Sequence, residues 1–103
     1  MSILNVFNSR GIHIANFTDG KLYTPSGQNI GHYLKNEKIF IAMTGHYLGE
    51  IVNKNRLLFN QSSPYLNINY GNHGNYGSIG NHGNPGNHGI ITMPAGFREV
   101  DLG

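Results

Sequence analysis

The chain has 103 residues, 38% apolar and 12% charged, with a net charge of +2 and no cysteine. That length suits one domain with an appendage. The absence of thiols excludes a disulfide framework and a thiolate metal site, and the weak charge speaks against nucleic acid as a partner. Residues 1–7 show no basic stretch followed by a long apolar one, and no apolar run approaches the roughly 20 residues of a membrane span, so the expectation is a cytoplasmic protein with no membrane partner.

Residues 1–70 read as four tandem β-hairpins. Gly11, Gly27, Gly45 and Ser63 serve as anchors, separated by steps of 16, 18 and 18 residues. Three residues after each comes a large aliphatic (Ile14, Ile30, Leu48, Leu66), and the next position is small (Ala15, Gly31, Gly49, Asn67). Six residues after the anchor stand Phe17, Tyr33 and Ile51, with Asn69 breaking the pattern. An apolar pair precedes each anchor: Val6-Phe7, Leu22-Tyr23, Ile39-Phe40 and Leu58-Phe59. In the second unit a β-prone strand meets the turn Thr24-Pro25-Ser26-Gly27, and a second strand returns over residues 28–33. The units join through the tight-turn sequences Thr18-Asp19-Gly20, Lys35-Asn36-Glu37 and Asn53-Lys54-Asn55. No segment carries capped helical periodicity, so the region is expected to be all-β, about eight short antiparallel strands in a meander or pseudo-four-fold ring. In a closed ring, Ile14, Ile30, Leu48 and Leu66 would form one apolar layer.

The run from Ile14 to Gly27, continued by Ile30-Gly31-His32-Tyr33 and Tyr47-Leu48-Gly49, resembles the bacterial 4-fold β-flower domain. The resemblance covers residues 5–70 and implies a pseudo-four-fold ring of hairpins with no catalytic residues. The fourth unit departs most, with Ser63-Pro64 at the turn and Asn67-Ile68-Asn69 at the strand end.

From residue 71 to 89, glycine falls at every third position, followed mostly by asparagine: Gly71-Asn72, Gly74-Asn75, Gly77, Gly80-Asn81, Gly83-Asn84, Gly86-Asn87 and Gly89. A period of three matches the polyproline-II or polyglycine-II helix, whose peptide groups make no internal hydrogen bonds and must find partners elsewhere. The glycines and asparagines named are therefore the expected contacts of a homo-oligomer. Docking on the chain's own domain and a disordered tail are the other readings. Residues 90–103 regain apolar character through Ile90, Ile91, Met93, Phe97, Val100 and Leu102, so this tail is expected to dock.

No residue set promises catalysis: the five acids (Asp19, Glu37, Glu50, Glu99, Asp101) show no acid–base pairing, and no cofactor is expected. His73, His82 and His88 share one face of a three-per-turn helix, yet at about 3.1 Å per residue they lie far beyond a common metal shell. Lys21, Lys38 and Arg56 recur at the start of a unit, with Lys35 and Lys54 in adjoining turns, so a closed ring would gather an anion-binding rim. The functional expectation is a non-catalytic, self-associating structural or scaffold protein whose Gly-x-x segments pack between subunits. The alternative is a module binding a glycan, peptide or anionic small ligand on the β-ring, with the triplet segment as linker.

Overall fold

The computed structural model describes residues 3–71, 77–81, 83 and 85–102. It is all-β. Eight strands follow in chain order: β1 (Leu4–Phe7), β2 (His13–Thr18), β3 (Lys21–Tyr23), β4 (Asn29–Leu34), β5 (Ile39–Ala42), β6 (Tyr47–Val52), β7 (Arg56–Asn60) and β8 (Phe97–Glu99). Each pairs antiparallel with the next, and β1 also meets β7 in parallel, so seven strands close into a barrel while β8 extends along β7.

Local chemistry places the turns. At one end, Gly11, Gly27 and Gly45 have φ of 80°, 100° and 92°. Each donates its N–H to the carbonyl three residues back, Asn8, Thr24 and Ala42, and Ser63 does the same to Asn60. At the other end, Asp19-Gly20 and Asn53-Lys54 turn the chain with both residues at positive φ, the backbone twist that suits a right-handed hairpin. We call the first end the turn rim.

Val6, Leu22, Phe40 and Leu57 contribute fully buried side chains to the core, with Ala15 and Leu48 completing its buried set. Gly31 and Gly49 stand opposite Leu22 and Phe40, and a β-carbon at Gly49 would press on the Leu58 backbone and on Val100. Phe17, Tyr33 and Phe40 meet with ring centroids 5.0–5.3 Å apart, aromatic contacts that add to the area they bury. Register shifts follow Val6, Leu22 and Phe40, and the next residues, Phe7, Tyr23 and Ile41, are buried as well.

The fourth quadrant differs from the sequence expectation. Residues 64–67 form successive turns rather than a returning strand, and Leu66 joins a second cluster with Ile39, Ile41 and Tyr47 instead of the layer shared by Ile14, Ile30 and Leu48. The strand pairing with β7 is β8, with Leu58 opposite Glu99 and Asn60 opposite Phe97. The local reason is composition: Ser-Pro and two asparagines are poor strand formers, whereas Phe97-Arg98-Glu99 leads directly to apolar Val100 and Leu102, which pack on the core.

The seam between β7 and β1 is closed by Arg56. Its side chain is buried, and Nη1 donates to the carbonyls of Asn8 and Ser9 at 3.2 and 3.3 Å. Ser9 also accepts from the Ile91 amide, and its N–H and hydroxyl both donate to the Glu99 carboxylate. The first turn, β7, β8 and the chain leading into β8 thus converge on one residue.

Candidate functional site: the glycine belt on the turn rim

The described part of the triplet segment lies against its own barrel as a belt on the turn rim. Three backbone hydrogen bonds hold the described part: Tyr70 N–H to Gly45 carbonyl (2.9 Å), Ile79 N–H to Gly27 carbonyl (2.9 Å) and His88 N–H to Gly11 carbonyl (2.8 Å). The donors are nine residues apart, so every third triplet meets the next glycine turn, and the belt visits the turns in reverse chain order. Bridges between His46 and Asn69 and between Gln28 and Ser78 flank the first two contacts.

These approaches require glycine on the barrel side. A β-carbon at Gly45, Gly27 or Gly11 would collide with the backbone of Gly71, Gly80 or His88 respectively. On the belt side the need is conformational. Gly71, Gly77, Gly80, Gly83 and Gly86 have φ between 77° and 86°, and a β-carbon on any of them would meet nothing within 4 Å. The polyproline-II expectation is corrected here, because that helix needs φ near −75° at every residue. The described part of the segment is instead a series of local turns. Asn69, Ser78 and Asn81 each accept, through a side-chain oxygen, the N–H of the glycine two residues on (Gly71, Gly80, Gly83) at 2.7–3.0 Å. Asparagine and serine favour this side-chain-mimicked turn, and glycine takes its left-handed position at no steric cost.

The residues that donate to the rim also cover apolar surface. The His88 ring lies over Phe7 at 3.8 Å between centroids, with His13 on Phe7 at 5.6 Å, and Tyr70 packs in the cluster of Ile41 and Tyr47. Two open clefts run between belt and barrel. One of about 320 Å³ is lined by Ile12, His13, Pro25, Asn81, Gly83 and Asn87; another of about 430 Å³ by Gln28, Asn29, Ile30, Gly77 and Ser78.

Of the residues named from sequence, Gly71, Gly77, Gly80, Asn81, Gly83, Gly86, Asn87 and Gly89 are all exposed along this belt; Asn72, Gly74, Asn75 and Asn84 lie outside the described residues, as do His73 and His82. The five cations do not share one role. Arg56 is buried in the barrel seam with its guanidinium on the Asn8 and Ser9 carbonyls, and Lys21 lies 3.4 Å from Asp19. Lys35, Lys38 and Lys54 are exposed at the end opposite the belt. Among the described residues no three His, Asp or Glu side chains converge as metal ligands, and no helix is long and apolar enough to cross a membrane.

Tyr47, in the barrel wall, is a strongly perturbed group. Burial pushes its phenol up to about 12; the nearby Glu50 carboxylate, which accepts its O–H at 3.1 Å, pushes the same way, while the Asn60 amide donating to the phenol oxygen works against both. It ties β6 to the last residue of β7.

The chain matches no family model, no curated protein and no solved structure. The site therefore rests on its own geometry. Sequence reasoning did not single out Tyr70, Ile79 and His88 together, because they share only a backbone N–H. A signal was nonetheless present. The nine-residue register that runs through 76, 85 and 94 contains Pro85 and Pro94, which have no N–H and could not serve.

Proposed function

We propose that the protein is a non-catalytic structural module that self-associates, with the Gly-x-x belt as the contacting surface. The observation that carries this is the outward side of the belt: five described glycines at positive φ open onto empty space, leaving bare backbone on an exposed strip. Backbone without side chains invites close approach by another backbone, and Ile12 and Ile90, 42% and 79% exposed, add apolar surface. The four hydrogen-bonded turns support reading residues 5–70 as four related units in a ring, the arrangement implied by the resemblance to the β-flower domain. In that reading the fourth unit borrows β8 as its second strand.

The test places methyl groups on the outer strip. Alanine at Gly77, Gly80 and Gly83 puts a β-carbon where the native chain has open space. Light-scattering mass of the full chain is expected to show an oligomer for the native chain and loss of association for the triple-alanine chain, with the β-sheet circular dichroism unchanged. A monomeric native chain contradicts the proposal.

The two clefts favour a second reading, a module binding a small polar ligand between belt and barrel. That reading expects chemical-shift changes confined to residues such as Ile12, His13 and Asn87 when a mixture of short oligosaccharides is titrated into the full chain.

A further inference from the structure

We infer that the turn rim is a receptor for a Gly-x-x chain that does not have to be its own, so that copies of this protein join by exchanging belts. This rests on the self-association reading and adds a second means to it, the belt's inner face seated on another copy's rim. The partner is a second copy of the chain, supplying its residues from about 69 to 102.

The described grip of belt on rim is repetitive and mostly backbone. Three N–H groups nine residues apart meet three glycine carbonyls, and each contact closes within a few residues, with no ion pair among the described residues of the belt. A belt from another copy has the same N–H groups, the same spacing and the same apolar covers, Tyr70 on the cluster of Ile39, Ile41 and Tyr47 and His88 over Phe7, and would make identical contacts. The seat is tight: the belt backbone at Gly71, Gly80 and His88 fills the space that a β-carbon on Gly45, Gly27 or Gly11 would need, and Pro85 and Pro94, which lack an N–H, could not donate to it.

The fourth quadrant adds an independent observation. β7 has no returning strand from its own hairpin, and its edge is filled by β8, which lies 41 residues along the chain at the pair Leu58–Glu99. A barrel with an added strand that arrives on a long connection has an arrangement from which swapped dimers can form, since the exchanged and unexchanged forms bury the same surfaces. They differ in the local concentration of the chain's own belt and in the conformation of residues 61–68, which connect it to β7. Exchange is thus governed by protein concentration, and because each copy both gives and receives a belt it can continue from one copy to the next.

The absence of cysteine makes the test clean. Gln28 and Ser78 are bridge partners on the rim, both exposed, at a strand-pair separation that suits a disulfide. The full-length double variant Gln28→Cys/Ser78→Cys is made in nitrogen-14 and nitrogen-15 forms. The two are unfolded together, refolded at rising concentration and oxidised. Exchange predicts disulfides between positions 28 and 78 that join a light chain to a heavy one, in a fraction that grows with concentration. The pair His46→Cys/Asn69→Cys, at the next contact, must give the same answer. Same-isotope disulfides alone, in chains that scatter as an oligomer, overturn belt exchange and leave association through the belt's outer face intact. Same-isotope disulfides in chains that scatter as monomers overturn both.

Discussion

The barrel and the belt are held by opposite means. In the barrel, side chains decide: Val6, Leu22, Phe40 and Leu57 fill the interior, small residues stand across from them, and Arg56 seals the seam. In the belt the backbone decides most, through hydrogen bonds at three points nine residues apart and local Asn or Ser caps between. Glycine serves both regions for different reasons. At Gly27 it makes room for a crossing chain, whereas at Gly83 it supplies a conformation and faces open space.

Truncating the barrel's centre is expected to have the largest effect. Phe40→Ala removes a fully buried ring that touches Phe17 and Tyr33, and should cost about 3–5 kcal/mol in urea unfolding. That loss is comparable to the whole stability of many small domains. Next comes the seam: Arg56→Ala removes the donors to the Asn8 and Ser9 carbonyls and should cost about 2–3 kcal/mol. The same variant is expected to increase hydrogen exchange of Phe7, whose amide bonds Asn55 beside the seam.

The glycines sharpen the contrast. Both Gly27→Ala and Gly83→Ala force a left-handed residue, a strain of about 1–2 kcal/mol. Only the former also strikes the Gly80 backbone, so it should be the more destabilising by at least about 1 kcal/mol and should lift the Ile79 amide from the rim. Equal effects in thermal unfolding would mean that the belt does not press on Gly27.

The smallest effect concerns alkaline pH. Tyr47 is raised from 10.0 to about 12, so folding favours its neutral form. Its contribution is complete below pH 10 and fades as pH rises towards about 12. Tyr47→Phe should flatten the decline of stability in that window and leave the profile near pH 7 with the same slope.

Much of the barrel was legible because hairpins are local. Asp19-Gly20 and Gly27 announce turns within a few residues, and the apolar positions before Gly27 and Gly45 mark the strands that fill the core. The fourth quadrant was not legible, since nothing near Ser63 says that residues 97–99 will take the place of its return strand. In the belt the period of three was plain, but glycine accepts either sign of φ, so the period alone could not separate a polyproline-II helix from a run of Asn-capped turns. The nine-residue period was hidden because Tyr70, Ile79 and His88 share no side-chain chemistry. Arg56 was indistinguishable in sequence from the surface lysines at equivalent positions, and only the closure of β7 on β1 buries it.

The central claim is that the belt is fastened at every third triplet, and amide hydrogen exchange of the full chain at neutral pH tests it most directly. The account predicts protection of the Tyr70, Ile79 and His88 amides well above that of Asn81 and Asn87, which make no such bond to the rim. Exchange of those three amides as fast as Asn81 and Asn87, in a chain whose barrel amides remain protected, would contradict it.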